Sequence, residues 1–171
     1  LRTYLLRYDV VVISSERYRK PDLPLEQRVI YPAIDHLSAK NRSMSDEEMK
    51  TVLDAAGVPT DKPLLTQVSR MDPWKDPIGV LRVYEKVRKK VDCRLCFCYN
   101  IATDDPEGVE IYERVYNEAE ELVEAGDVLF VVGNNALLVN ALQRRSAVVL
   151  QKSIREGFCL TVTEAMWKGA P

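Results

Sequence analysis

Two cations and two carboxylates carry the chemistry that can be read from this chain. Arg70 and Lys75 stand in Val68-Ser69-Arg70-Met71-Asp72-Pro73-Trp74-Lys75-Asp76-Pro77, and Glu156 and Glu164 in Arg155-Glu156-Gly157-Phe158-Cys159-Leu160-Thr161-Val162-Thr163-Glu164. A guanidinium fork and an ammonium a few residues apart suit phosphate oxygens, the fork through paired N–H donors and the ammonium as a compact charge. Carboxylates accept hydrogen bonds from vicinal hydroxyls, and Gly157 lets the backbone approach a sugar closely. Each set follows an apolar run that reads as a strand and precedes a stretch that reads as a helix, the place where an α/β sheet binds phosphorylated ligands. Structural roles are open at both places. Arg70 can pair with Asp72 or Asp76 while Lys75 is solvated, and Thr161 with Glu164 has the Ser/Thr-x-x-Glu spacing of a capping box.

The elements that must position these residues follow from periodicity. Leu64–Val68, Arg94–Tyr99, Val128–Val132 and Ala147–Gln151 are short continuous apolar runs, as parallel strands buried on both faces should be. Helical stretches lie between them: 46–56, stopped by Gly57 and Pro59; 77–90, with Asp76 as N-cap and Pro77 at the first position; a charged helix over 107–124; 135–144; and 161–168. This alternation predicts an α/β fold, a mainly parallel sheet with helices on both faces. Right-handed crossovers then bring the loops 69–76, 100–106, 133–135 and 152–160 to one sheet edge. Val10–Ile13 reads as a further strand that must join this sheet or stay an exposed edge, and 20–35 is rich in proline and turn formers.

Composition limits what the chain can bind. The 171 residues carry 24 Lys and Arg against 26 Asp and Glu, so there is no global attraction to nucleic acid or to an anionic membrane, and an anionic ligand must be met by local cations. No apolar run approaches the roughly 20 residues of a spanning helix and no signal-peptide pattern is visible, which predicts a cytoplasmic protein. Cys93, Cys96 and Cys98 fall in one apolar segment without a second pair, and on a strand only Cys96 and Cys98 share a face, so they read as core residues rather than metal ligands. The lone His36 reads as part of a turn or linker.

Arg-x4-Lys at Arg70 and Lys75, in register with Glu-x7-Glu at Glu156 and Glu164 inside Glu-Gly-Phe-(x)4-Thr-Glu-Ala, resembles the donor half of retaining GT-B glycosyltransferases of the glycogen synthase and sucrose synthase type. Tyr31-Pro32-Ala33-Ile34-Asp35, Asp72-Pro73-Trp74-Lys75-Asp76-Pro77, Asp104-Asp105-Pro106-Glu107-Gly108, Val139-Asn140-Ala141-Leu142-Gln143-Arg144 and Ser153-Ile154-Arg155-Glu156-Gly157-Phe158 resemble more closely the trehalose glycosyltransferring synthase and trehalose phosphorylase group. The resemblance implies a Rossmann-like GT-B C-terminal domain over residues 35–171, incomplete at its C-terminal end. Residues 1–34 would be a remnant of the acceptor domain and the interdomain linker. It further implies a nucleoside diphosphate glucose as donor substrate, glucose or trehalose as the other sugar partner, and no metal or other cofactor. Arg70 and Lys75 would bind the diphosphate and stabilise the leaving group, Glu156 would contact the donor sugar, Glu164 the ribose, and Gly157 and Phe158 would complete the donor site.

Three departures from the family pattern stand out. Cys159 occupies the place of the second glycine of Glu-Gly-Phe-Gly, and Leu138 and Ala147 stand where acidic residues are common. Most of the acceptor domain is outside this sequence, so the resemblance predicts a chain that binds donor without turnover by itself. The alternatives are trehalose phosphorylase chemistry and a non-catalytic nucleotide-binding or regulatory module, which could form a homodimer through an unpaired sheet edge.

Overall fold

The computed structural model describes residues 2–100 and 105–171. Asp104 of the Asp-Asp-Pro motif and the centre of the expected 100–106 loop lie outside the described residues. The chain forms two compact units, Leu1–Ile34 and Asp35–Pro171.

The first unit contains α1 (Arg2–Leu5), β1 (Val10–Ile13) and β2 (Glu26–Val29). The expectation for Val10–Ile13 is corrected here: it pairs in parallel with β2 in a separate two-stranded sheet, Val10 opposite Glu26 through Ile13 opposite Val29. β2 lies inside the stretch read as turns, and its Glu-Gln-Arg-Val sequence has no apolar run to betray it. Side chains hold the crossover that makes the pairing possible. The Gln27 amide accepts from the Lys20 N–H and donates to the Lys20 carbonyl, both at 2.8 Å, and Arg19 donates to the Gln27 carbonyl at 3.0 Å.

The second unit is a four-stranded, wholly parallel sheet of β3 (Leu64–Arg70), β4 (Arg94–Asn100), β5 (Val128–Val132) and β6 (Val148–Val149), in the order β5-β4-β3-β6. β3 is central, pairing from Leu64 opposite Arg94 to Arg70 opposite Asn100 on one side and with β6 on the other. β6 is shorter than the apolar run 147–151, although Ala147 N–H donates to Leu64 O and Leu150 N–H to Thr66 O on either side of it.

The helices are α2 (Asp46–Ala55), α3 (Pro77–Val87), α4 (Pro106–Glu118), α5 (Glu120–Glu124), α6 (Ala136–Arg145) and α7 (Leu160–Trp167). Ser45, Asp76, Asp105 and Asn135 cap α2, α3, α4 and α6 through side-chain oxygens, each accepting a backbone N–H from the first turn. The single helix expected over 107–124 is broken at Ala119. That residue is wholly buried in the core beside Val115 and Val128, and no glycine or proline marks the break in the sequence.

Strand alternation sorts the core into two layers. Leu65, Leu95 and Phe97 pack with Val80, Leu81 and Tyr84 of α3 and Val115 of α4. Leu64, Cys96 and Cys98 face the other way, against Leu53 of α2 and Leu138, Val139 and Leu142 of α6. Cys93 joins the first layer, so Cys96 and Cys98 share a face that Cys93 does not, and all three thiols are buried and free. Leu138 is a core residue of the second layer.

Tyr84 is fully buried, and its hydroxyl lies 3.1 Å from both the Cys93 and the Asp127 carbonyls. One proton serves two acceptors, tying α3 to the starts of β4 and β5, and burial pushes the phenol up to about 12. Tyr84→Phe keeps the ring but removes that proton, so urea unfolding should show a loss of about 1–3 kcal/mol with an unchanged m-value.

Candidate functional site

β3 ends at Arg70, and the chain turns at once. Asp72 accepts from Trp74 N–H at 2.7 Å, Pro73–Lys75 make one 3-10 turn, and Asp76 enters the left-handed region with φ 48°. Beneath this turn the buried Gln67 donates from Nε2 to the Lys75 carbonyl at 2.8 Å. Its Oε1 is buried with no hydrogen-bond partner among the described residues.

The loop after β6 is laced to this turn. Ile154 N–H donates to the Trp74 carbonyl at 2.8 Å, Lys152 is paired with Asp76, and the Arg155 guanidinium lies 5.9 Å from the centroid of the Trp74 ring. Lys75 Nζ is ion-paired with Glu156, 81 residues away in sequence. Glu156 also accepts from Gly157 N–H at 2.9 Å, Gln151 Nε2 at 3.2 Å and Ser153 Oγ at 3.3 Å.

Of the residues singled out by sequence, Lys75 and Glu156 are therefore in direct contact, so the solvated role for Lys75 is overturned. Arg70 is 3.1 Å from Asp72 and its side chain is 60% exposed, leaving the rest of the guanidinium open to solvent. Gly157 and Phe158 are exposed beside Glu156, and a methyl group at Gly157 would point into open space.

The capping-box reading of Thr161 and Glu164 is corrected. α7 begins at Leu160 with Cys159 as N-cap and no side-chain cap, and Thr161 Oγ1 donates instead to the Val68 carbonyl at 3.4 Å. Glu164 turns away from the helix start because a better partner exists. It is buried, with Oε1 2.8 Å from Lys40 Nζ and Oε2 3.2 Å from Gln143 Nε2. Beneath it, Lys168 donates to Asn41 Oδ1 at 2.8 Å and Gln143 Oε1 at 2.7 Å, and desolvation pushes its ammonium down to about 8 against the pull of Glu164.

A cleft of about 350 Å³ opens at the C-terminal ends of β3, β4 and β5, lined by Ser69, Asn100, Gly133, Asn134, Thr161 and Lys40 among others. Gly133 donates to the Tyr99 carbonyl at 2.6 Å. A side chain there would meet Cys98 Sγ at 3.0 Å and that carbonyl at 3.3 Å, so glycine keeps the floor open. The cleft lies on the β4–β5 side of Arg70 and the Lys75–Glu156 pair on the β6 side. A larger depression of about 660 Å³ lies among the last turn of α3, the end of α4 and α5. In a parallel α/β sheet that is the edge away from strand C-termini and helix N-termini. Sequence reasoning missed Lys40, Gln67 and Lys152; their partners lie 124, 8 and 76 residues away, and no local pattern announces them.

Lys75 is the main reason that the Glu156 carboxyl is held below the usual glutamate range, through its hydrogen bond, with Gly157 N–H adding to it. A depressed folded-state value contributes stability that is complete above the unfolded value of about 4.3 and is lost as pH falls through the folded value. The difference in unfolding free energy between the wild type and Glu156→Gln should accordingly shrink from about pH 6 to about pH 3, as read by urea titration.

Cys159 adopts φ 69°, ψ 72°, a left-handed conformation that costs a side-chain-bearing residue about 1–2 kcal/mol. Cys159→Val, which adds β-branching to that strain, should destabilise the fold by about 1–2 kcal/mol while Cys159→Gly is neutral or stabilising, measured by thermal and urea unfolding.

Residues 49–171 match the family model described as glycosyl transferases group 1. The chain is 42% identical over its whole length to the trehalose synthase of Pyrococcus horikoshii, of which it spans 42%. The trehalose phosphorylase of Pleurotus sajor-caju is more distant, 31% identical over 63% of this chain and 16% of its own. Among solved structures, sucrose-phosphate synthase from Thermosynechococcus elongatus superposes with a TM-score of 0.75 over 99% of this chain and 41% of its own, at 19% identity. Anabaena HepE in complex with UDP and glucose gives 0.70 over 95% and 43%, at 16% identity. The fold expectation therefore holds, an α/β domain of the GT-B type, and the chain belongs to the glycosyl transferases group 1 family, with trehalose synthases as homologues across its full length.

Proposed function

We propose that this chain is the donor-binding part of a retaining glucosyltransferase that moves glucose from a nucleoside diphosphate glucose to glucose, forming trehalose. The observation that carries the proposal is the Lys75–Glu156 pair, which joins the β3 and β6 loops beside an exposed Arg70. Identity to trehalose synthases over the whole chain supports the choice of reaction. The chain spans 42% of the length of the trehalose synthase it was compared with, so the activity of a whole protein is part of the proposal.

In this reading the ion pair is the resting state of the site. A diphosphate arriving between Arg70 and Lys75 takes the ammonium, and the guanidinium exchanges Asp72 for phosphate oxygens. Glu156 is then released to accept from hydroxyls of the donor sugar, while Gly157 and Phe158 line the sugar end. As the glycosidic bond breaks, negative charge grows on the departing phosphate, and fixed cations stabilise that charge more than the ground state. Arg70 and Lys75 supply the positive charge themselves, so no metal is proposed as cofactor. Positioning the acceptor is worth roughly 7–11 kcal/mol, and residues 1–171 tested by themselves should bind donor without turnover.

Calorimetric titration with UDP, ADP and GDP tests this. One nucleotide should saturate the folded chain, Arg70→Ala and Lys75→Ala should each weaken it about tenfold or more, and a metal chelator should leave binding unchanged. A folded wild type that binds none of the three would overturn the reading.

A further inference from the structure

The cleft between β3, β4 and β5 has a charged wall that the sequence motifs do not include. Lys40 lines it, and among the described lining residues it is the one that carries a charge. The position of Lys40 is fixed from behind. α6 holds the segment around it by its carbonyls: Asn140 Nδ2 donates to Ala39 O at 3.0 Å and to Arg42 O at 2.8 Å, and Arg144 Nη2 to Arg42 O at 3.1 Å. Lys168 pins the neighbouring Asn41 side chain from below. These bonds span about 100 residues of sequence and tie a segment without regular structure to α6.

Glu164 is equally fixed but faces inward. Its side chain is 6% exposed, with one oxygen taken by Lys40 and the other by Gln143, whereas the Lys40 side chain is 38% exposed. The ammonium, rather than the carboxylate, is therefore the group presented to the cleft. An ammonium carries three N–H donors, of which one faces Glu164. Anchored 2.8 Å from a buried carboxylate, the ammonium keeps two N–H donors for the cleft, which suits the two oxygens of a pair of adjacent hydroxyls.

We infer that Lys40 is a specificity-determining residue of this cleft, its ammonium contacting the ribose diol of the nucleotide directly while the buried Glu164 holds it in place. The inference rests on the donor-site reading above and adds to it a residue from outside the two motifs. Buried polar groups matched to hydroxyls discriminate strongly against a ligand that lacks them, because the protein groups are then left unpaired. A lysine that merely balanced the charge of Glu164, or met the diphosphate, would give no such discrimination.

The test is calorimetric binding of UDP and of 2′,3′-dideoxy-UDP to the 171-residue chain, to Lys40→Met and to the double variant Lys40→Met/Glu164→Gln. The double variant removes both charges, so no carboxylate is left buried alone if the single variant unfolds. Wild type should prefer UDP by about tenfold or more, and the preference should fall to within about twofold in whichever variant is folded by circular dichroism. A variant that weakens both nucleotides equally, keeping the wild-type ratio, would overturn the inference and leave the donor site intact, as would a wild type that binds both equally. A wild type that binds neither would overturn the donor-site reading and this inference with it.

Discussion

Parallel pairing of β3 on both of its edges is the constraint on which the site depends. Because β4 and β6 run in the same direction as β3, the loops that follow all three leave at one edge. Lys75 and Glu156 meet there despite the 81 residues between them. The Lys152–Asp76 pair and the bond from Ile154 N–H to Trp74 O then fasten the two loops. An antiparallel β6 would send its loop to the opposite edge and leave Lys75 without this partner.

Charge at this edge is held in matched pairs. Arg70 is paired with Asp72, Lys75 with Glu156, Lys152 with Asp76, and Lys40 with Glu164. Each cation is positioned by a carboxylate that a polyanionic ligand can displace or share. Exposed pairs of this kind add little to stability, so exchanging one partner for a phosphate costs little. Lys40 and Glu164 differ because the carboxylate is buried, and breaking that pair leaves a charge without solvent. Arg70 and Lys75 are therefore suited to exchange and Lys40 to staying in place.

Identity to trehalose synthase runs along the whole chain, and the glycosyl transferases group 1 model covers 49–171, a span that contains β3 to β6 and both motif loops. The fold alone does not choose a donor or an acceptor, because the same architecture occurs in a sucrose-phosphate synthase and in HepE in complex with UDP and glucose. Two local features of this chain bear on that choice: Cys159 in a left-handed conformation, and a lysine from the start of the second unit placed on the wall of the cleft.

Four apolar runs, the cap Asp76, Pro77 at the start of α3 and the order of strands and helices were legible in the sequence, because buried parallel strands and capped helices leave short-range patterns of residue type. The Arg70–Lys75 and Glu156–Glu164 spacings were legible for the same reason. The partner of β1 was not, since β2 is polar and its crossover is held by the Gln27 and Arg19 side chains. The break at Ala119 was not, since neither glycine nor proline stands there to mark it. Nor could spacing decide the partner of Glu164: a capping box and a buried ion pair use the same carboxylate, and only the tertiary structure, by bringing Lys40 and Gln143 to it, made the second the lower in energy. Residue types and local periodicity determined which groups could do chemistry, and the parallel sheet, acting over 80 to 120 residues of chain, decided which of them meet.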